Sequence, residues 1–486
     1  MAMEFRTVGS KVTDLTRSIP PMQLRIFNLG PRNVQGTVQA GLAYRVVSSI
    51  PINAYQFNPL ENVDVFSNDA SILLPSNVLG KYYLVMTREE TFQELKGFLT
   101  VVGIDPSGTE VAVTVTAPTL ASNDIPHMEP GETRTFVLQQ YDVLNIETDA
   151  YGADLTGSVV MARHPVAVFG GSEAANAPNT SHCCPGGDCG FPFEQAWMGC
   201  KDRDDCICEW PHANLKPPQD IACKDNWGCS KYITCCADHL EKQMFPVKAW
   251  GTEYVATHTY PRAGEKDEWR IMAAEAGTKL AIVPKQTDVL APLDQGEYID
   301  FESSEHFEIH AEKPILVGQF LEAQDAPDPN IGGVVGPKDA RIGDPDFILV
   351  PPVEQFRKDY VFLAPNKYVI DGVNIVVPVG VSVYLDGKEL RQEDLTFMPA
   401  AQIMDTLSQK KLKDPSELGG QFGDYGLVGT SGKWAVWRLI VTDGVHVAEA
   451  DQPFGVISYG YDQYVSYGYP AGLNLDDLKL VNDQGL

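Results

Sequence analysis

The chain has 486 residues, 44% of them hydrophobic, and sets 65 acidic against 37 basic side chains for a formal net charge of −28. That length and apolar content suit two to four compact units with a sizeable core. So acidic a surface excludes a nucleic-acid backbone binder and disfavours docking on anionic lipid, and no segment approaches the ~20 apolar residues of a membrane-spanning helix.

Residues 1–21 scatter Glu4, Lys11, Asp14 and Arg17 through the stretch and contain no apolar h-region, so no secretory leader is legible. Residues 1–40 are expected to be irregular, with the native start lying upstream. From residue 41 to 474 one phrase recurs, a small or acidic residue, then x-Pro, then an apolar run. It is found at Pro51, Pro165, Pro314 and Pro453, roughly 115 to 150 residues apart. Self-similarity at a fixed period marks a repeat architecture. A second phrase, apolar residues ending in proline and followed by a Tyr/Val strand, starts near Ile72, Met244 and Ile348. A third has the form of a hairpin, with residues 98–104 facing 110–116, 269–274 facing 279–283, and 373–377 facing 381–385. These segments alternate apolar and polar residues and are bounded by Gly, Pro and Asp, which predicts strands. Proline cannot donate to a ladder, so the x-Pro phrase is expected to start a strand or lie at an edge. Helical signal is confined to 240–245, a turn or two, and 400–412. The fold class expected is all-β, with about four quasi-repeated antiparallel modules, sandwich-like or closed into a propeller-like ring. Residues 475–486 form a tail.

The ten cysteines fall in one insertion, residues 183–236, as Cys183, Cys184, Cys189, Cys200, Cys206, Cys208, Cys223, Cys229, Cys235 and Cys236. The even count, and a Cys206/Cys208 spacing too close for a zinc knuckle, favour disulfides over metal, in an oxidising compartment outside the cell. Their connectivity is not readable.

Several phrases resemble the IgGFc-binding protein N-terminal domain family, in the form of a bacterial-type member with a cysteine-rich insert. They are Ala54-Tyr55-Gln56-Phe57-Asn58-Pro59-Leu60, Ser67-Asn68-Asp69-Ala70-Ser71-Ile72-Leu73-Leu74-Pro75, Asp154-Leu155-Thr156-Gly157-Ser158 before Pro165-Val166-Ala167-Val168-Phe169, Asp238-His239-Leu240-Glu241, and the closing Tyr464-Val465-Ser466-Tyr467-Gly468-Tyr469-Pro470. The resemblance implies a non-catalytic extracellular or cell-surface binding or adhesion module. Its partner would be an extracellular protein or glycoprotein; antibody binding is not assumed from it.

Four clusters carry candidate chemistry. Asp238, His239 and Glu241 could ligate metal or run acid–base chemistry, as an extracellular hydrolase or carbohydrate-active enzyme would require, or could fix a junction by hydrogen bonds. Ser67-Asn68-Asp69 lacks the glycine elbow and histidine of a catalytic serine and is more simply an Asx turn. The acidic run Asp325, Asp328, Asp339, Asp344 and Asp346 has oxygen ligands for calcium, the one cofactor the sequence suits, without the regular loop spacing. Tyr459, Tyr461, Tyr464, Tyr467 and Tyr469 suit either a recognition surface or packing that closes the architecture. A structural role within a larger surface assembly is the remaining alternative.

Overall fold

The computed structural model describes residues 2–7, 15–27, 29, 32–58, 67–89, 95–150, 152–177, 237–288, 290–324 and 342–479. The ten cysteines and Asp325, Asp328 and Asp339 lie outside them. The described chain is all-β, and its one α-helix is Ala400–Lys410 (α1), within the segment expected to be helical.

The strands group into four modules in chain order. In the first, Tyr44–Ser48 (β1) pairs with Ala2–Thr7, and after Pro51 the short Tyr55–Phe57 (β2) pairs with Ala70–Ile72 (β3). The second holds Gly80–Leu84 (β4), Gly97–Gly103 (β5), Thr109–Thr114 (β6), the 17-residue Val159–Ala175 (β7) and Asp238–Gln243 (β8). β7 serves two sheets. Residues 159–162 run between β4 and β6, and residues 166–172 run between β5 and β8.

The third module repeats this with Gly251–Ala256 (β9), Asp267–Ala273 (β10), Leu280–Val283 (β11), Phe307–Leu321 (β12) and Asp346–Val350 (β13). β12 lies first between β9 and β11, then between β10 and β13. The fourth holds Arg357–Ala364 (β14), Ile370–Pro378 (β15), Val383–Leu385 (β16), Gly444–Asp462 (β17) and Val465–Pro470 (β18). β17 passes from β14 and β16 to β15 and β18.

Three sequence expectations are corrected. Pro165, Pro314 and Pro453 sit inside the long strands and do not start them. Each falls where the strand leaves one sheet for the next and its register shifts. At such a changeover no ladder partner needs the missing N–H. The three hairpins do not pair with themselves either: β5 and β6, β10 and β11, and β15 and β16 each pair with opposite halves of the same long strand. Their turns cross between the two layers of a sandwich. Residues 240–245 are strand up to Gln243, because six residues are too few to hold a helix alone and β7 offers a ladder.

Apolar alternation points inward from both layers. Val101 on β5 and Val111 and Val113 on β6 are fully buried in one core. Where β7 meets β8 only glycine fits: a Cβ on Gly171 would lie 1.7 Å from the Leu240 carbonyl oxygen. One strand from each module then meets on a common axis. β3 packs on β8, β8 on β13, β13 on β18, and β18 back on β3. The four modules close into a ring through these strands.

Candidate functional site at the ring axis

The ring strands bring sequence-distant polar residues to the axis. Asn68 and Asp69 precede β3, Asp238 opens β8, Asp344 and Asp346 lie at the start of β13, and Tyr467 lies on β18. None of these six residues, nor Lys242 on β8, is more than 2% exposed.

Lys242 is the hub. Its Nζ donates to Asp69 Oδ1, to the Ala70 carbonyl at 2.7 Å and to Asp346 Oδ1 at 3.2 Å, so one ammonium joins the first three modules. Asp238 Oδ1 accepts the backbone N–H groups of Asn68 and His239, each at 2.7 Å. The Asn68 amide donates to the Tyr368 hydroxyl across 300 residues of sequence, tying the first module to the fourth. The Asp344 N–H donates to Ser466 Oγ at 2.8 Å, and the Tyr467 hydroxyl donates to Asp371 Oδ1 at 2.6 Å.

The electrostatics follow from burial. Asp238 is held well above the usual carboxylate range by desolvation and then by the charge of Asp344. Asp346 is raised by desolvation as well; Lys242 opposes this, while the charge of Asp69 and a hydrogen bond with it favour the protonated form. Asp238 Oδ2 and Asp346 Oδ2 have no hydrogen-bond partner among the described residues when treated as acceptors, and a retained proton would turn either into a donor.

The His239 ring is half-buried and stacks on Phe98 at 5.9 Å, with Nε2 3.8 Å from Glu241 Oε2. Burial opposes its charged form, yet Glu241 and Asp69 hold its pKa above the ordinary value. Tyr461, Tyr467 and Tyr469 are buried. Tyr467 and Tyr469 pack on Phe57, and Tyr469 lies 4.6 Å from Tyr55, which joins the last strands to the first module. Tyr464 is half-buried at the β17–β18 turn with φ 61°.

Chemically the arrangement fastens. A cavity at the axis, lined by Ser71, Ile72, Lys242, Gln243, Phe245, Leu349, Tyr469 and Pro470, measures about 10 Å³, room for about one water molecule. No group of three His, Cys, Asp or Glu side chains among the described residues is placed to hold a metal ion.

The sequence reading missed Lys242 and Tyr368. It also missed a second buried network between the second and third modules. There the Arg88 guanidinium grips Glu268 through two bonds of 2.7 and 2.6 Å, and Arg270 on β10 joins Asp154 and Asp300, both at 2.7 Å. The available signal was a glutamate and an arginine set among the apolar residues of β10.

A family profile described as IgGFc binding protein matches residues 69–196 and 221–460, which include β3 and most of the three larger modules. A human protein named IgGFc-binding protein is 22% identical over 404 residues, 83% of this chain, and the chain spans 6% of the length of that relative.

Proposed function

Since the chain belongs to the IgGFc binding protein family, we propose that it is a non-catalytic binding module that works outside the cell and recognises an extracellular protein or glycoprotein. The observation that carries this reading is the family match, which runs from residue 69 to 460 with one break inside the cysteine-rich insertion and covers three of the four strands that meet at the axis, β3, β8 and β13. The local chemistry agrees with it. Asp238 accepts two backbone N–H groups and His239 is stacked on Phe98 beside Glu241, contacts that support a junction role for the most enzyme-like cluster of the sequence. Recognition then falls to the loops and to the Cys183–Cys236 insertion, which we take to be braced by disulfides.

The test is surface plasmon resonance with the immobilised chain against native and deglycosylated extracellular glycoproteins, immunoglobulin Fc among them. The expected result is saturable, salt-sensitive binding to at least one of them, with the eluted ligand unchanged in mass. Cleaved ligand would establish catalysis, and no binding across the set would remove the proposal. Peptide mapping of material from its native compartment is expected to find residues 183–236 without free thiols; free thiols there would overturn the extracellular placement.

A further inference from the structure

The three larger modules share a feature that the first lacks. The residue three or four positions after the x-Pro proline is paired on both sides: Phe169 with Thr100 and Gln243, Val317 with Ile271 and Val350, Ile457 with Asn374 and Pro470. The equivalent residue after Pro51 is Tyr55. It pairs with Ile72 on β3, and among the described residues nothing pairs with the other side of β2.

The direction of the free groups follows from the ladder. Asn58 N–H bonds the Asp69 carbonyl, and the Ala54 carbonyl accepts from Leu73 N–H, both at 2.9 Å, so residues 54, 56 and 58 face β3. Backbone groups alternate sides along a strand, which leaves the N–H and C=O of Tyr55 and Phe57 on the outer edge. That edge is anchored, because the Tyr55 ring lies 4.6 Å from Tyr469 and the Phe57 ring 6.3 Å from Tyr467. A strand held this way has little ordering entropy left to lose when a partner adds to it.

We propose that the outer edge of β2 is a β-addition site that accepts an extended segment of a second polypeptide, antiparallel, with apolar residues at alternate positions. The three larger modules show what fits: β5, β10 and β15 fill the corresponding edge, and β10 places Trp269 and Ile271 fully buried on one face. Main-chain bonds to Tyr55 and Phe57 give affinity, and the alternating apolar side chains give selectivity. The site deepens the binding reading by giving it a place and a mode, and rests on that reading only in taking the added strand from a partner chain.

The test uses the full chain and a fluorescein-labelled peptide copying residues 266–273, Lys-Asp-Glu-Trp-Arg-Ile-Met-Ala, read by fluorescence anisotropy. Saturable binding is expected, at least about tenfold tighter than a scrambled peptide. Two N-methylated peptides form the decisive pair, one blocked at the Asp267, Trp269 and Ile271 positions and the other at Glu268, Arg270 and Met272. Only one of the two should lose binding, since alternate N–H groups face the edge. Phe57→Pro removes an outward N–H and should abolish binding with an unchanged circular dichroism spectrum; if that variant does not fold, the N-methyl pair decides alone. No peptide binding, equal binding of both N-methylated peptides, or wild-type binding by a folded Phe57→Pro variant would overturn the proposal. If the glycoprotein panel binds while the peptide does not, only this edge falls; if the peptide binds and the panel does not, the ligand class falls and the edge stands.

Discussion

Lys242→Met tests whether the axis holds the ring together. Methionine keeps most of the apolar stem and removes the ammonium. The loss falls on three bonds, to Asp69, to the Ala70 carbonyl and to Asp346, made by a buried side chain to acceptors on two other modules. Breaking a buried ion pair by deleting one partner costs about 3–5 kcal/mol, chiefly because the remaining charge is left buried without compensation. The neutral bond to Ala70 adds about 1 kcal/mol, which the well-packed methionine largely offsets. The expected loss is therefore about 3–5 kcal/mol in urea unfolding followed by tryptophan fluorescence, with an unchanged slope on denaturant. Adding Asp69→Asn to Lys242→Met removes the stranded charge and should restore at least about 2 kcal/mol relative to the single variant. A single-variant loss below about 1 kcal/mol, or a double variant no more stable than Lys242→Met, would refute the idea that this ammonium fastens the modules.

Gly171→Ala forces a methyl group to 1.7 Å from the Leu240 carbonyl oxygen and should cost at least the upper end of about 1–3 kcal/mol in the same assay; a neutral result would mean that β7 and β8 do not approach so closely. Burial, and secondarily the charge of Glu173, push the Glu147 carboxyl up to about 7. Because the folded value is the raised one, the stability this group contributes is complete below its ordinary range and is lost as pH rises through about 7. Glu147→Gln should therefore flatten the fall of the thermal midpoint between the ordinary carboxylate range and about pH 7. Desolvation, with Arg438 nearby, lowers His306 to about 3. This sign is opposite: stability is complete above the ordinary histidine value and is lost as pH falls toward about 3. His306→Asn should reduce the acid-side loss of the thermal midpoint, and an unaltered pH profile in either variant would count against the assigned cause.

Strands were legible wherever alternation is strong. Val111 and Val113 announce a buried face without help from any other part of the chain. The recurrence of proline at 51, 165, 314 and 453 located the modules, and the three prolines in the larger modules mark where a long strand changes sheet. Partner choice was not legible. A turn such as Asp105–Gly108 closes a hairpin or crosses between layers with similar local sequence, and the difference is set by contacts with β7 some sixty residues later. At the axis the sequence singled out Asn68, Asp69, Asp238, Asp344, Asp346 and Tyr467, in four separate arguments. That they converge depends on ring closure, a property of four modules at once. Lys242 went unread because a lysine beside a glutamate in an amphipathic hexapeptide has the pattern of a solvated face.

The pairing of β7 with β8 has one more implication. Ala175 and Asp238 stand opposite one another in register, so the two ends of the intervening sixty-odd residues are fixed on neighbouring strands of the scaffold. Both anchor points belong to the scaffold, and doubling the length of such an excursion adds only about 0.6 kcal/mol of closure entropy. On the proposed binding reading the position is a socket: a change in the length of the segment it carries is expected to leave the pairing of β7 with β8 in place.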